Sequence, residues 1–205
     1  GEDVPGAWQA ELDGAGAIVN LAGSGIADKR WTAARKADLR ESRVLATRAL
    51  VSAIRKATNR PSVFLSGSAV GFYGPQDDNG PELDEASPPG SDFLSSLAVD
   101  WEAEAHAATA LSCRVIILRT GIVLAPKGGA FGKLVPLFKL GLGGKMGAGR
   151  EWWSWISLDD EVRAIRFLID HDVHGPVNLT APSPARNAEI TRALGEAHTH
   201  QQEGQ

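Results

Sequence analysis

The sequence predicts an α/β fold, a parallel sheet with helices on both of its faces. Three observations predict it. An apolar strand at 17–23 runs into a tight Ala-Gly turn, and a second one at 63–74 ends in a similar glycine-rich turn. A long helical segment separates them, and strand-like and helix-like segments alternate through the rest of the chain. Two such strands joined by a helix are typical of the second half of a dinucleotide-binding Rossmann fold.

The helix between these strands has clear end signals. Thr32 is an N-cap residue for a helix that continues to about Ala57, with apolar residues recurring at helical spacing along it. Pro61 ends the connection, and the next strand begins at Ser62.

The middle of the chain contains a loop, a helix and a strand. Residues 74–92 are rich in Gly, Pro, Asp and Ser, which is typical of a surface loop. Asp92 can cap a helix that continues to about Leu111. The unbroken apolar run at 114–119 is typical of a strand that is covered on both faces.

The last third alternates in the same way after a glycine-rich stretch. Glycines between 128 and 149 flank one short apolar segment, which predicts a mobile loop-helix-loop lid. A helix at 157–172 and a short strand at 177–179 follow. Asn187 can cap a last helix to about Ala197, and the polar tail beyond it is expected to fray.

Composition excludes several classes of function. The 205 residues, 43% apolar and 22% charged, fit one globular domain. A net charge of −4 without a Lys/Arg run argues against a nucleic-acid surface. No apolar run reaches the length of a membrane span and no secretory leader is visible, so we expect a soluble protein of the cytoplasm or an organelle matrix. The lone Cys113 precedes an apolar strand and is expected to be a buried thiol.

The two strand ends are the candidate ligand site, because ligands of parallel sheets bind beyond the carboxyl ends of the strands. The first strand ends in Asn20-Leu21-Ala22-Gly23, where a small turn lets a ribose or pyrophosphate approach the backbone. Asn20 can alternatively tie two loops together. The second strand ends in Ser66-Gly67-Ser68, where a hydroxyl can bond a substrate carbonyl or hydroxyl, or can simply cap the strand.

These strand ends belong to a series of short motifs that occur in order over nearly the whole chain. The motifs are Val19 to Gly23, Arg30-Trp31, Ser42-Arg43, Ser66 to Gly74, Asp92 to Leu94, Trp101-Glu102, Arg119 to Leu124, Gly128 to Ala130, Gly141 to Gly144, Gly147-x-Gly149, Trp155-Ile156 and Asn178 to Pro182. In them the chain resembles the extended, epimerase-like branch of the short-chain dehydrogenase/reductase superfamily. Within it, the chain is similar to an atypical epimerase family with members named nucleoside-diphosphate-sugar epimerases.

The resemblance implies a Rossmann fold with NADP, or alternatively NAD, as cofactor. It implies a partial NAD(P)-binding domain over 1–124, with the lid and the C-terminal substrate-side segments, 125–205, packed on the same domain. The implied cofactor-binding residues are Asn20, Leu21, Ala22, Gly23, Ser66, Gly67, Arg119 and Thr120, and the implied substrate-binding residues are Gly121 and Trp155. In such proteins a glycine-rich phosphate loop comes first. We therefore expect a chain truncated at the N-terminal βαβ unit, one that binds NADP weakly by itself.

The acid/base residues of the superfamily do not match. Its usual pair is Tyr-x-x-x-Lys, but the one tyrosine, Tyr73, is followed four residues later by Asp77. The helix at 93–102, where the pair would lie, contains neither residue. The remaining catalytic candidates are Ser68, to orient a substrate, Arg43, to orient a carbonyl or phosphate, and Tyr73, to supply a proton. Each has a structural alternative: a strand cap for Ser68, an ion pair for Arg43 or Arg119, and packing for Tyr73.

No metal site is expected. The acidic residues between 77 and 85 match no calcium loop, and the five histidines are scattered. Trp152, Trp153 and Trp155 can form either an aromatic wall over a substrate or part of the core. The leading hypothesis is an NAD(P)-dependent oxidoreductase or epimerase-like enzyme acting on a sugar nucleotide or a small carbonyl compound. The alternatives are a catalytically idle NAD(P)-binding sensor or regulatory module and an α/β interaction domain without a ligand.

Overall fold

A computed structural model describes residues 7–76, 80–125 and 149–203. Contacts divide the chain into two compact units, which are described separately. The first comprises Gly1–Pro75, Leu83–Arg119 and Ala164–Asn178, and the second Gln76–Glu82, Thr120–Arg163 and Leu179–Gln205. The predicted division at residue 124 concerns function and stays a prediction.

The described strands are β1 (Ala17–Asn20), β2 (Val63–Ala69), β3 (Arg114–Thr120), β4 (Ile122–Leu124), β5 (Trp152–Trp153), β6 (Trp155–Ser157), β7 (Gly175–Leu179) and β8 (Ala185–Arg186). The α-helices are α1 (Ala33–Lys56), α2 (Phe93–His106), α3 (Leu158–Asp170) and α4 (Asn187–Glu203). Short 3₁₀ helices occur at Ala7–Leu12, Val70–Tyr73 and Ala107–Leu111. Strands and helices alternate as predicted from β1 to β3, whereas β3 and β4, β5 and β6, and β7 and β8 follow one another without a helix between them.

A four-stranded parallel sheet forms the centre of the first unit, in the order β1-β2-β3-β7. Ala17 lies beside Val63 and Asn20 beside Ser66 in the register of β1 and β2. The core on this sheet includes Ile18, Val51, Ile54, Phe64, Ala105, Ala108, Cys113, Val115 and Ile117. The predicted α/β fold with a parallel sheet is confirmed, and so is the burial of the Cys113 thiol.

Both predicted helix caps in the first unit are present. The side chain of Thr32 accepts a hydrogen bond from the backbone N–H of Arg35, and that of Asp92 accepts one from Ser95. The helix expected to reach Leu111 is α-helical only to His106 and continues as a 3₁₀ turn. Tightening of this kind is common at helix ends.

The second unit contains short strand pairs that the sequence did not predict. β4 pairs with β6 in parallel, and β5 pairs with β8 in antiparallel, with Trp152 opposite Arg186. Strands of two or three residues are too short to show a periodicity. Helix α4 continues to Glu203, beyond the predicted end near 197, while the predicted lid at 128–147 lies outside the described residues. Among the described helices, none is long and apolar enough to cross a membrane.

Candidate functional site

Polar side chains mark the carboxyl ends of all four strands of the central sheet. Asn20 is the last residue of β1, while Ser68, Arg119 and Asn178 are each the next to last residue of β2, β3 and β7. Because the strands are parallel and adjacent, these residues lie along one edge of the sheet, where ligands of such sheets bind. The sequence did not predict Asn178 as a site residue.

The turn after β1 is held from behind by α1. The amide nitrogen of Asn20 donates to Thr47 Oγ1 (2.9 Å), and its amide oxygen accepts from the backbone N–H of Ala22 (3.2 Å). Thr47 Oγ1 also accepts from the indole N–H of Trp101 (3.0 Å). Asn20 is buried, and its side chain connects the turn to helix α1, whereas the structural alternative considered for it was a link between two loops.

Arg43 supports the same turn. Its guanidinium donates to the carbonyl oxygens of Leu39 and Ser24, each at 3.0 Å, and its carbon Cζ lies 5.2 Å from the ring centroid of Trp101. A Cβ atom on Gly23 would lie 2.8 Å from Arg43 Cζ, so this glycine makes room for the arginine. Burial, and then the charge of Arg35, lowers the pKa of Arg43. We refer to Asn20, Gly23, Arg43, Thr47 and Trp101 as the turn cluster.

A second buried group joins β2, β3 and α2. Ser68 Oγ donates to Glu102 Oε1 (2.6 Å), and Arg119 holds both carboxylate oxygens, with Nε 3.0 Å from Oε1 and a terminal nitrogen 2.9 Å from Oε2. The three residues are 4 to 6% exposed. The ion-pair alternative considered for Arg119 is therefore present in the structure.

The arginine extends this group to β7. The other terminal nitrogen of Arg119 donates to the Tyr73 hydroxyl (3.0 Å) and to the carbonyl oxygen of Glu85 (3.1 Å). The Tyr73 hydroxyl in turn donates to Asn178 Oδ1 (2.7 Å). Burial lowers the pKa of Arg119, but hydrogen bonds to Glu102 and Tyr73 outweigh it, and the net pKa is raised. We refer to Ser68, Tyr73, Glu102, Arg119 and Asn178 as the strand-end network.

The predicted catalytic residues fall into these two groups. Ser68 and Tyr73 are linked through the strand-end network, whereas Arg43 belongs to the turn cluster. Gly67 lies against the turn cluster, because a Cβ atom there would lie 2.9 Å from Trp101 Cζ2 and 3.2 Å from the carbonyl oxygen of Asn20. Ser66 is fully buried. The catalytic and cofactor roles of all these residues stay predictions.

The remaining predicted residues belong to the second unit. Thr120 Oγ1 donates to Glu161 Oε1 (2.9 Å), and burial raises the pKa of Glu161, with the hydrogen bond from Thr120 opposing it. The backbone N–H of Gly121 donates to the carbonyl oxygen of Leu179 (3.0 Å). The indole N–H of the half-buried Trp155 donates to the carbonyl oxygen of Ser183 (3.0 Å).

Sequence reasoning missed Glu102 as a partner of the predicted site. A usable signal was present, because Glu102 shares a helical face with Ser95, Ala98 and Ala105, all of them buried. A carboxylate on the inward face of a helix requires a buried cation or several donors. The pattern therefore predicts a buried cation or several hydrogen-bond donors beside Glu102 but does not say which residues supply them.

The turn after β1 fits a ligand that approaches along the strand ends. Leu21, Ala22 and Gly23 are exposed, with Leu21 60% exposed, while the side chains behind them are buried and bonded to α1. The turn therefore presents exposed backbone at the edge of the sheet where ligands of parallel sheets bind. Among the described residues, no group of three His, Cys, Asp or Glu side chains is arranged to hold a metal ion, and Asp77 and Asp78 lie outside those residues.

Comparisons with known proteins agree with this geometry. Residues 5–180 match the family model of the NAD dependent epimerase/dehydratase family. An epimerase family protein of Mycobacterium bovis, Mb2239, is 46% identical over 182 residues, which is 88% of this chain and 59% of that protein. The chloroplastic SDR39U1 homolog of Arabidopsis thaliana is 38% identical over 191 residues, covering 92% of this chain and 54% of that protein.

Solved structures extend the likeness to three dimensions. The human epimerase family protein SDR39U1 (isoform 2), crystallised with NADPH, has a TM-score of 0.82 and 35% identity. The match covers 93% of this chain and 69% of the human chain. A UDP-glucuronic acid 4-epimerase from Bacillus cereus has a TM-score of 0.80 at 16% identity, over 93% of this chain and 62% of that one, which shows a shared fold. In length, the chain spans 59% of the mycobacterial relative Mb2239.

Proposed function

Because the chain belongs to the NAD dependent epimerase/dehydratase family, we propose that the whole protein is an NADP(H)-dependent oxidoreductase or epimerase-like enzyme. Its substrate class is a sugar nucleotide or a small carbonyl compound. The observation that carries the proposal is the strand-end network, which is built from three neighbouring strands at the edge where this fold binds ligands. NADP(H) is preferred over NAD because the human relative, 35% identical, was crystallised with NADPH.

We assign two roles to the described residues. The exposed turn at Leu21–Gly23 would run beside the cofactor, and the buried side chains of Asn20 and Arg43 would hold this turn in position. Ser68 would contact the substrate, because it is the hydroxyl of the network at the end of β2. When bound, NADP(H) supplies or accepts the hydride, and the protein supplies binding, orientation and proton handling.

A second candidate function is a catalytically idle NADP(H) sensor. One observation favours it: the first turns of α2 present Phe93 and Leu97 to an apolar cluster with Leu39 and Trp101 instead of an acid/base pair. In addition, the Tyr73 hydroxyl is hydrogen-bonded to Arg119 and Asn178. A hydroxyl with two such partners is a weaker candidate for proton transfer than a hydroxyl that faces the substrate.

One experiment separates the two functions. NADPH absorbance is followed in the full-length protein with a panel of sugar nucleotides, quinones and small carbonyl compounds. For an enzyme, Ser68→Ala should lower turnover by about 10²–10⁴-fold while changing NADPH affinity by at most about tenfold. Arg43→Ala should lower turnover and also weaken NADPH binding, because the arginine holds the turn after β1.

The outcomes are distinct. A panel with no turnover and intact NADPH binding supports the sensor. Turnover that Ser68→Ala leaves unchanged removes Ser68 from the catalytic residues. Absence of NADPH binding by the full-length wild type contradicts both functions.

The cellular setting belongs to the same proposal. We place the protein in the cytoplasm or an organelle matrix, with a small molecule as its partner. The chloroplastic plant relative supports an organelle matrix as one setting for the family. Fractionation of cells that express the tagged full-length protein tests this placement.

A further inference from the structure

The strand-end network fixes the direction of every hydrogen bond that reaches Ser68. A guanidinium has five N–H donors and no acceptor, and it stays protonated in proteins. Arg119 therefore donates both of its bonds to Glu102, and each carboxylate oxygen accepts one of them. The short contact of 2.6 Å between Ser68 and Glu102 must use the proton of the serine hydroxyl.

The direction of this hydrogen bond determines whether the Ser68 hydroxyl can donate to a ligand or accept from it. A hydroxyl has one proton and two lone pairs, and the proton of Ser68 is already directed at Glu102 Oε1. Only the lone pairs are left to meet a ligand. Donation to a ligand carbonyl would require breaking a charge-assisted bond inside a site where the carboxylate is 5% exposed.

We propose that Glu102 is a positioning residue that makes Ser68 a hydrogen-bond acceptor, so that the group bound at Ser68 is a donor. The shared chemistry is a neutral O–H or N–H, as in an alcohol or a carboxamide, and not a carbonyl oxygen or a carboxylate. This inference rests on the proposed function, because it names what the same site recognises. It also changes the prediction made from the sequence, in which the Ser68 hydroxyl bonds a substrate carbonyl or hydroxyl, because a carbonyl oxygen is now excluded as its partner.

The rest of the network makes the arrangement difficult to reverse. The guanidinium of Arg119 cannot easily turn away from the carboxylate, because its other terminal nitrogen is also bonded to the Tyr73 hydroxyl and to the Glu85 carbonyl oxygen. Its Cζ atom lies 3.5 Å from the ring centroid of Phe72. A carboxylate that is held on both oxygens keeps one orientation toward Ser68.

Neutron diffraction of deuterium-exchanged crystals of the full-length protein tests the premise directly. The deuterium on Ser68 Oγ should point to Glu102 Oε1, and Glu102 should carry none. A deuterium on Ser68 that points away from Glu102, or one on the carboxylate, overturns the proposal.

Binding of matched probes to the full-length protein tests whether Ser68 prefers a hydrogen-bond donor. It also shows whether that donor belongs to the cofactor or to the substrate. The cofactor pair is NADPH and its reduced 3-acetylpyridine analogue, in which a methyl ketone replaces the carboxamide. The substrate pair is cyclohexanol with NADPH and cyclohexanone with NADP, two combinations that do not react. In at least one pair the donor-bearing probe should bind about three- to tenfold more tightly in the wild type, and Ser68→Ala should abolish that preference.

Glu102→Gln should reduce the same preference, measured as the ratio of the two affinities, whereas a general loss of structure would weaken both probes alike. The matched control is Glu104→Gln on the same helix, which should leave both affinities unchanged. Equal or stronger binding of the donor-free probe in both pairs overturns the proposal. In that case NADPH binding by the wild type still upholds the proposed function, so the two failures are distinguishable.

Discussion

Helix α2 carries two glutamate–arginine pairs, two residues apart, in opposite surroundings. Glu102 and Arg119 are paired with side chains only 7% and 5% exposed, whereas the side chains of Glu104 and Arg48 are 25% and 59% exposed. Both arginines contact both carboxylate oxygens of their partner. Two residues along an α-helix are about 200° apart, so one glutamate faces the sheet and the other faces α1.

The two pairs show that surroundings, and not pairing chemistry, determine what an ion pair does. Water can solvate Glu104 and Arg48 when they separate, so their pairing is optional. Water cannot replace Arg119 for Glu102, so the buried pair has to stay formed and its geometry stays fixed. Only a pair of the second kind can hold a third group such as Ser68 in one orientation.

The largest effect is expected from breaking the buried pair. Arg119→Met leaves the Glu102 carboxylate buried without its cation and should lower the free energy of unfolding by about 3–5 kcal/mol. Urea denaturation of the full-length protein, followed by circular dichroism, measures it. The double variant Glu102→Met with Arg119→Met should be more stable than Arg119→Met alone, because no charge is left unpaired. If Arg119→Met unfolds at the same urea concentration as the wild type, the buried pair is no more important for stability than the exposed one.

The next effect concerns packing between β2 and the buried Trp101 of α2. Gly67→Ala places a Cβ atom 2.9 Å from Trp101 and 3.2 Å from the backbone oxygen of Asn20, and should cost about 1–3 kcal/mol of stability. Thermal unfolding of the full-length protein measures this cost. Gly71→Ala is the control, because a Cβ atom there lies 3.5 Å from Leu94 in ordinary contact. Equal melting temperatures for the two variants would show that Trp101 moves aside freely.

Glu161 is a buried carboxylate with no arginine partner among the described residues, and it extends the comparison. Burial raises the folded-state pKa of Glu161 above its ordinary 4.5, so this residue favours folding most when protonated. Its contribution is present at low pH and is lost as pH rises through the folded-state pKa. Glu161→Gln should therefore gain stability relative to the wild type on going from about pH 4 to about pH 7.

Asp160 provides the control of opposite sign for this pH dependence. The hydrogen bond from Ser157 lowers the pKa of the exposed Asp160, with Arg163 adding to it, so the stabilisation from Asp160 is lost as pH falls. Asp160→Asn should thus approach the stability of the wild type at low pH. Chemical denaturation at several pH values measures whether the stability of each variant, relative to the wild type, rises or falls as the pH rises. Parallel curves for Glu161→Gln and the wild type would mean that burial does not shift the pKa of Glu161.

The smallest effect is expected from the exposed pair. Glu104→Gln should change the melting temperature little, and added salt should reduce the change further, because the ions that screen the charges reach both residues. The hydrogen bonds from Ser68 and Arg119 to Glu102 should be unaffected. A loss of stability as large as that of Arg119→Met would remove the distinction between the two faces of α2.

Much of the fold followed from local signals in the sequence. The caps at Thr32 and Asp92, the apolar runs of β2 and β3, and the alternation of strand and helix all placed the corresponding elements. The strand pairs β4–β6 and β5–β8 were missed, because two or three residues carry no periodic signal. The sequence placed the candidate residues at the ends of their strands, and it offered an ion pair for Arg119 without naming the partner; the functional roles of these residues stay predictions.

The sequence by itself determined the fold class, because the order and periodicity of apolar residues permit few ways to cover a parallel sheet. It also placed Asn20, Ser68 and Arg119 at the carboxyl ends of their strands, since each follows or ends an apolar run. Only the tertiary structure decided which side chains meet. Glu102 is 34 residues from Ser68 and Asn178 is 105 residues from Tyr73. No local pattern specifies such pairings, because they depend on how helices pack on the sheet and on the cost of burying a charge without a partner.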